Sequence, residues 1–282
     1  MQRIVVGVDG SESATGALRW ALAEGELHGA EVVAVLAWSY LDQRHAGRKA
    51  SDSSFDPEYD EDDARTALRS AVAASGSSHP VEERVVCDLP ATALLEASAG
   101  ADLIVVGARG LGGFKGLLLG SVSEKVLENS KVPVAIVRGE PGGGNGGVVV
   151  GVDGSDLSQL ALAWAATEAR ARQAPLHLVH AWQASLLAAP VTEQVLAVLE
   201  EGAQEIVDTA AGDPVVEGLE VHRYIPYSGA AQAILGVAEN ASLIVAGTRG
   251  HGRLYRAVLG STSRQLAHHA TCPIVIIPAS AD

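Results

Sequence analysis

The sequence predicts an α/β fold: two tandem, doubly wound domains, each built on a five-stranded parallel sheet. Three observations carry that expectation. The block Val5-Val6-Gly7-Val8-Asp9-Gly10-Ser11 recurs letter for letter as Val149-Val150-Gly151-Val152-Asp153-Gly154-Ser155. Within each copy, short apolar runs alternate with segments of helical periodicity, the pattern of βαβ units. The chain is 48% hydrophobic but only 4% aromatic, which suits buried parallel strands lying between helices of small residues. A length of 282 residues agrees with about two domains.

The repeat sets the organisation. An offset of 144 relates Trp20 to Trp164 and Trp38 to Trp182. Farther along the offset is 140, relating Gly107 to Gly247, Gly110 to Gly250, Gly120 to Gly260 and Pro133 to Pro273. The first copy therefore holds a net four extra residues (144 − 140), placed in the acidic, polar segment Tyr40 to Asp63, which reads as a solvated loop. The matching segment of the second copy, Ser185 to about Val207, is more apolar and helix-like. A glycine-rich stretch joins the copies, so residues 1–140 are expected as the first domain, 141–147 as a flexible linker and 148–282 as the second domain.

In the first copy Ile4 to Val8 reads as a strand. Ala14, Ala17, Leu18, Ala21 and Leu22 then recur on one helix face, and Gly29 ends that helix. Glu31 to Trp38 reads as the second strand, Ala64 to Ala74 as a helix and Val81 to Val86 as a strand. Ala91 to Ala99 follows as a helix, Leu103 to Val106 as a strand, Ser121 to Glu128 as the last helix and Val132 to Val137 as the last strand.

A formal charge of −14 argues against nucleic acid or an anionic membrane as partner, since neither steering nor counterion release would favour binding. It leaves room for a small anion held by local donors, because exposed charges are screened beyond about 8–10 Å. The N-terminus runs directly into a strand, with no stretch like a signal peptide or a membrane span. Cys87 and Cys272 match no metal or redox spacing. A reduced, cytoplasmic protein is the expectation. The adjacent His268 and His269 point to different sides of a helix and are poor joint metal ligands.

In open parallel sheets ligands bind beyond the carboxyl ends of the strands, where the winding reverses. Two features fall at such ends in each copy. One is the close of the first strand, Gly7, Val8 and Asp9, with Gly151, Val152 and Asp153 as its twin. The other is the loop G-x-x-G-x9-G-S: Gly107, Arg109, Gly110, Gly120, Ser121, Val122 and Ser123, repeated as Gly247, Arg249, Gly250, Gly260, Ser261, Thr262 and Ser263. Glycines let amides approach an anion closely, and the closing Gly-Ser opens a helix, where unpaired amides and the dipole favour phosphate. Ser121 and Ser123 add hydroxyls, and Arg109, Lys115, Arg249, Arg253 and Arg256 add charge. Against this stand two structural readings. Ser121 with Glu124 forms a capping box, although Arg264 replaces the acidic partner in the second copy. Asp9 and Asp153 suit an Asx-turn into the first helix. Gly142-Gly143-Gly144-Asn145-Gly146-Gly147 satisfies G-x-G-x-x-G but precedes a strand and is read as linker.

These residues resemble the universal stress protein family in its tandem form. The resemblance rests on the Gly-Val-Asp-Gly-Ser starts, both glycine loops, and the endings Val132-Pro133-Val134 and Cys272-Pro273-Ile274. It implies the strand order 3-2-1-4-5 and ATP, with Mg2+, as ligand. It also implies a nucleoside contact by Asp9 and Asp153, adenine contacts by the backbone of Ala37 and Ala181, and phosphate contacts by the glycine loops. Last-strand pairing in a homodimer or an intramolecular pseudo-dimer is implied as well. The leading expectation is an ATP-binding stress or dormancy regulator acting on an unknown protein. The alternatives are a slow ATPase or autophosphorylating enzyme, with Ser121, Ser123 or Asp9 near the γ-phosphate, and a flavin- or AMP-type module.

Overall fold

A computed structural model describes residues 1–38, 61–110, 119–138, 146–183, 192–248 and 259–279. The chain divides into two compact units, Met1–Pro141 and Gly142–Asp282.

In the first unit the described elements are β1 (Arg3–Gly7), α1 (Glu12–His28), β2 (Glu31–Trp38), α2 (Glu61–Ala74), β3 (Val81–Cys87), α3 (Pro90–Ala97), β4 (Leu103–Gly107), α4 (Ser121–Asn129) and β5 (Val134–Val137). All pairings are parallel. β1 lies between β2 and β4, with Ile4 opposite both Val32 and Leu103; β3 flanks β2 and β5 flanks β4. The order is thus β3-β2-β1-β4-β5. Ile4, Val5 and Val6 are wholly buried, as a central strand covered on both faces requires. The winding reverses between β1 and β4, whose carboxyl ends are Gly7 and Gly107.

Helix ends follow local chemistry. Ser11 caps α1, its Oγ accepting the Ala14 amide at 3.1 Å, and Gly29 closes the helix in the left-handed region at φ 62°. Val132 and Pro133, expected within the last strand, precede β5. Pro133 has no N–H for a ladder, though its carbonyl accepts the Ile104 amide at 2.9 Å.

The second unit repeats the plan with β6 (Val148–Gly151), α5 (Asp156–Arg172), β7 (Leu176–Val179), α6 (Glu193–Ala211), a short 3-10 turn (Pro214–Val216), β8 (Val221–Tyr224), α7 (Ala230–Val237), β9 (Leu243–Gly247), α8 (Ser261–His269) and β10 (Ile274–Ile277). Its strands pair β8-β7-β6-β9-β10, all parallel. The helix expected in the segment Ser185 to about Val207 is α6, which begins at Glu193 and runs on to Ala211. Gly146 and Gly147, placed in the linker by composition, are held by this unit: the Gly146 amide donates to Asn240 O and the Ser242 amide to Gly147 O, both at 2.9 Å.

Candidate functional site

The glycine loop of the first unit begins at the carboxyl end of β4. A Cβ on Gly107 would lie 2.6 Å from Ser13 Oγ and 2.7 Å from the Ser13 backbone. The glycine is therefore dictated by the close approach of α1. Ala108 continues the ladder, its amide donating to Val137 O at 3.0 Å, and the Gly120 amide donates to Ala108 O at 2.7 Å. That bond ties the two ends of the excursion together. Residues 111–118, Lys115 among them, lie outside the described residues.

Gly120 is the N-cap of α4, with extended backbone (φ −81°, ψ 155°), and no side chain caps the helix. The first intrahelical bond runs from the Glu124 amide to Gly120 O at 2.9 Å. The amides of Ser121, Val122 and Ser123 thus form the open N-terminus of the helix. This geometry overturns the capping-box reading, because Ser121 is the first helical residue and Glu124 stands one position too far along. Ser123, expected to offer its hydroxyl to an anion, instead donates it to Gly107 O at 2.7 Å in a buried bond. Its hydroxyl positions the loop, and only its amide faces the helix end.

Asp9 reaches this loop from β1. The Val8 amide extends the ladder to Val35 O at 2.9 Å. The chain then turns at Gly10 (φ 80°), and Asp9 Oδ1 accepts the Ser11 amide at 2.9 Å. The Asx-turn is real, but it engages one oxygen. The other, Oδ2, lies 2.5 Å from where a Cβ on Gly110 would sit. A Cβ on Gly120 would in turn lie 3.6 Å from the Gly110 amide nitrogen. Asp9, Gly110, Gly120 and the α4 amides are therefore one contiguous patch at the carboxyl end of the sheet. Ala37 lies at the same end, two residues beyond Val35 and opposite Val86 of β3.

Three further contacts were not foreseen from sequence. Ser13 Oγ accepts the Arg109 amide at 3.2 Å, and Ser11 Oγ makes a long 3.4 Å contact to Arg109 O; together they stitch the loop to the start of α1. Arg138 follows β5 directly, one residue past the Gly107–Val137 pair. Its guanidinium is pushed below its ordinary pKa, chiefly by burial and secondarily by the charge of Arg109. Arg109 and Arg138 thus follow the ends of adjoining strands, within reach of one another's charge. Gly7 answers to packing, since a Cβ there would press on Leu94 at 3.0 Å.

The second unit builds the same frame. The Val152 amide donates to Val179 O at 3.0 Å, the Gly260 amide to Thr248 O at 2.7 Å and the Arg264 amide to Gly260 O at 2.9 Å, leaving the amides of Ser261, Thr262 and Ser263 at the open end of α8. Ser263 Oγ donates to Gly247 O at 2.6 Å, and Asp153 Oδ1 accepts both the amide and the hydroxyl of Ser155. Gly151 has Ile234 against it, and Ala181 lies two residues past Val179. Arg249, Gly250, Arg253 and Arg256 lie outside the described residues. A groove of about 260 Å³ between α5 and α6 opens at Val152 and Gly154, on either side of Asp153.

The model of the universal stress protein family matches residues 1–138 and again residues 145–278. The chain is 31% identical to a universal stress protein of Mycolicibacterium smegmatis, over 97% of this chain and 96% of that one. It is also 31% identical to a universal stress protein of Mycobacterium tuberculosis, over 97% and 95%. Among solved structures it is similar to a universal stress protein from Archaeoglobus fulgidus, with 23% identity, a TM-score of 0.63 and 98% of each chain covered. No helix among the described residues is long and apolar enough to cross a membrane.

Proposed function

This chain belongs to the universal stress protein family, and from that premise we propose that each half binds ATP with Mg2+ at the carboxyl end of its sheet. The observation that carries the reading is the contiguity of Asp9, Gly110 and Gly120 with the open amides of Ser121, Val122 and Ser123. The amides and Arg109 take the phosphates, the Asp9 carboxylate takes the ribose hydroxyls, and the backbone at Ala37 takes adenine. Asp153, Ala181, Arg249, Gly250 and the amides of Ser261, Thr262 and Ser263 do the same in the second half. Gly7, Val8, Gly107, Gly151, Val152 and Gly247 shape the frame. The metal arrives on the phosphates, which supply oxygen ligands suited to Mg2+.

A helix dipole at an exposed site contributes only about 0.3–1 kcal/mol, whereas micromolar affinity needs about 8 kcal/mol. Adenine burial and several amide contacts must supply the rest. Occupancy then acts as a signal to a partner protein, within a cytoplasmic homodimer or pseudo-dimer that binds neither nucleic acid nor membrane. Binding without turnover is favoured because the Ser123 hydroxyl proton is committed to Gly107 O, which removes one phosphoryl acceptor. Purified protein is expected to retain adenine nucleotide, seen by mass spectrometry of the denatured supernatant, and to melt at higher temperature with ATP. Nucleotide-free protein whose melting ATP does not change would sink the proposal.

A further inference from the structure

Resting on the proposed nucleotide site, we infer that the two halves are unequal sites and that the first binds the polyphosphate more tightly, because Ser13 and Arg138 serve its glycine loop alone. At the position matching Ser13, offset by 144, the second half carries Leu157. At the position matching Arg138, offset by 140, it carries Pro278.

Ser13 works through the backbone. Its Oγ accepts the Arg109 amide at 3.2 Å, and its main chain closes on Gly107. Ser123 holds the carbonyl of the same glycine. Gly107 and Arg109 are thus fixed from α1 as well as from α4 before any ligand arrives, and a loop fixed in advance loses less freedom on binding. In the second half Ser263 still holds Gly247 O, but a leucine side chain has no acceptor with which to fix the loop from α5. Ser13 is in this sense a positioning residue. Arg138 adds charge. The Gly107–Val137 pair puts it at the strand end opposite Ala108, one residue from Arg109, whose charge reaches its guanidinium, and two like charges kept within reach of each other are relieved by an anion between them. Proline at 278 offers neither charge nor donor.

Charge counted along the loops ranks the halves the other way: Arg249, Arg253 and Arg256 against Arg109 and Lys115. The two rankings give opposite outcomes, so one titration decides. ATP is titrated into the full chain and stepwise occupancy is read by native mass spectrometry, for the wild type, Ser13→Ala and Arg138→Gln. Two steps of different affinity are expected.

Ser13→Ala should weaken the tighter step by roughly 2- to 13-fold, the worth of one neutral hydrogen bond, and leave the weaker step in place. Arg138→Gln should weaken the same step by about tenfold for ATP and by less for AMP, since the lost charge faces phosphates. A variant that moves the weaker step, or two steps of equal affinity in the wild type, overturns the inference while nucleotide binding stands. No nucleotide bound at either step overturns the nucleotide reading itself, and the inference with it. Should Ser13→Ala fail to fold, Arg138→Gln carries the decision alone.

Discussion

A Cβ on Gly107 would collide with the Ser13 backbone at 2.7 Å, whereas a Cβ on Gly120 would meet nothing nearer than Arg109 Cα at 3.4 Å. The first glycine serves packing and the second is sterically optional, with an ordinary extended backbone. Gly107→Ala should therefore cost about 1–3 kcal/mol, the usual penalty of overpacking, read by urea denaturation. Gly120→Ala should stay within about 0.5 kcal/mol of wild type yet bind ATP markedly less well, because its methyl would stand where phosphate oxygens approach the α4 amides. Equal loss of stability in both variants would remove the distinction. From sequence the two positions are the same letter in the same motif. Their separation depends on Ser13, which lies 94 residues before Gly107 and leaves no local mark. That Asp9 lies near the loop is legible from the strand ends, but its approach to Gly110, and the reach of Arg109's charge to Arg138, are not. The difference between Ser13 and Leu157 was visible in the repeat, but nothing in the letters said that it touched the loop.

Elements were far more legible than contacts, because each carries its own periodic pattern and its own end signals. The first strand and the Gly29 stop stand in the sequence, whereas the cap of α1 falls on Ser11, two residues past the Asp9 turn. The helix opening at Ser121 is also legible, but the letters leave its cap open: Ser and Gly both make N-caps, and only backbone geometry chooses between them. The repeat also exposes a fault in one element. At the position of Gly29, the second copy has Gln173, which closes α5 in the left-handed region at φ 51° and is the only non-glycine with positive φ among the described residues. A side chain there costs about 1 kcal/mol relative to glycine. Gln173→Gly should stabilise the second half by about 0.5–1 kcal/mol, less the added freedom of the unfolded chain. Thermal unfolding checks it, and a lower melting temperature would show that side-chain contacts of Gln173 outweigh the strain.

At the scale of the whole molecule, two copies of one fold respond to acid differently because their outer strands differ in charge chemistry. In the second half His177 of β7 stacks on His222 of β8, with ring centroids 4.9 Å apart, and its Nδ1 lies 3.2 Å from Tyr224 Oη. The imidazole is pushed below its ordinary pKa of 6.5, first by burial and then by the charge of His222, against the raising effects of Gly146 and Glu220. The unfolded chain therefore takes up a proton more readily than the folded one, so stability falls as pH drops through 6.5 toward the lower folded value. At the matching places the first half has Val33 and Glu82. Glu82 is held below its ordinary 4.5, chiefly by its hydrogen bond with Arg84, so its contribution persists until the pH falls below that range, and its exposure keeps the effect small. Acidification from about pH 7.5 to about pH 5.5, the window in which histidine titrates, should loosen the second half before the first. Amide exchange should rise in β7 and β8 while β2 and β3 stay protected. His177→Val installs the residue of the first copy, whose branched side chain suits a strand, and should flatten the pH dependence of melting. A variant that loses as much melting temperature over that window as the wild type would place the acid sensitivity elsewhere.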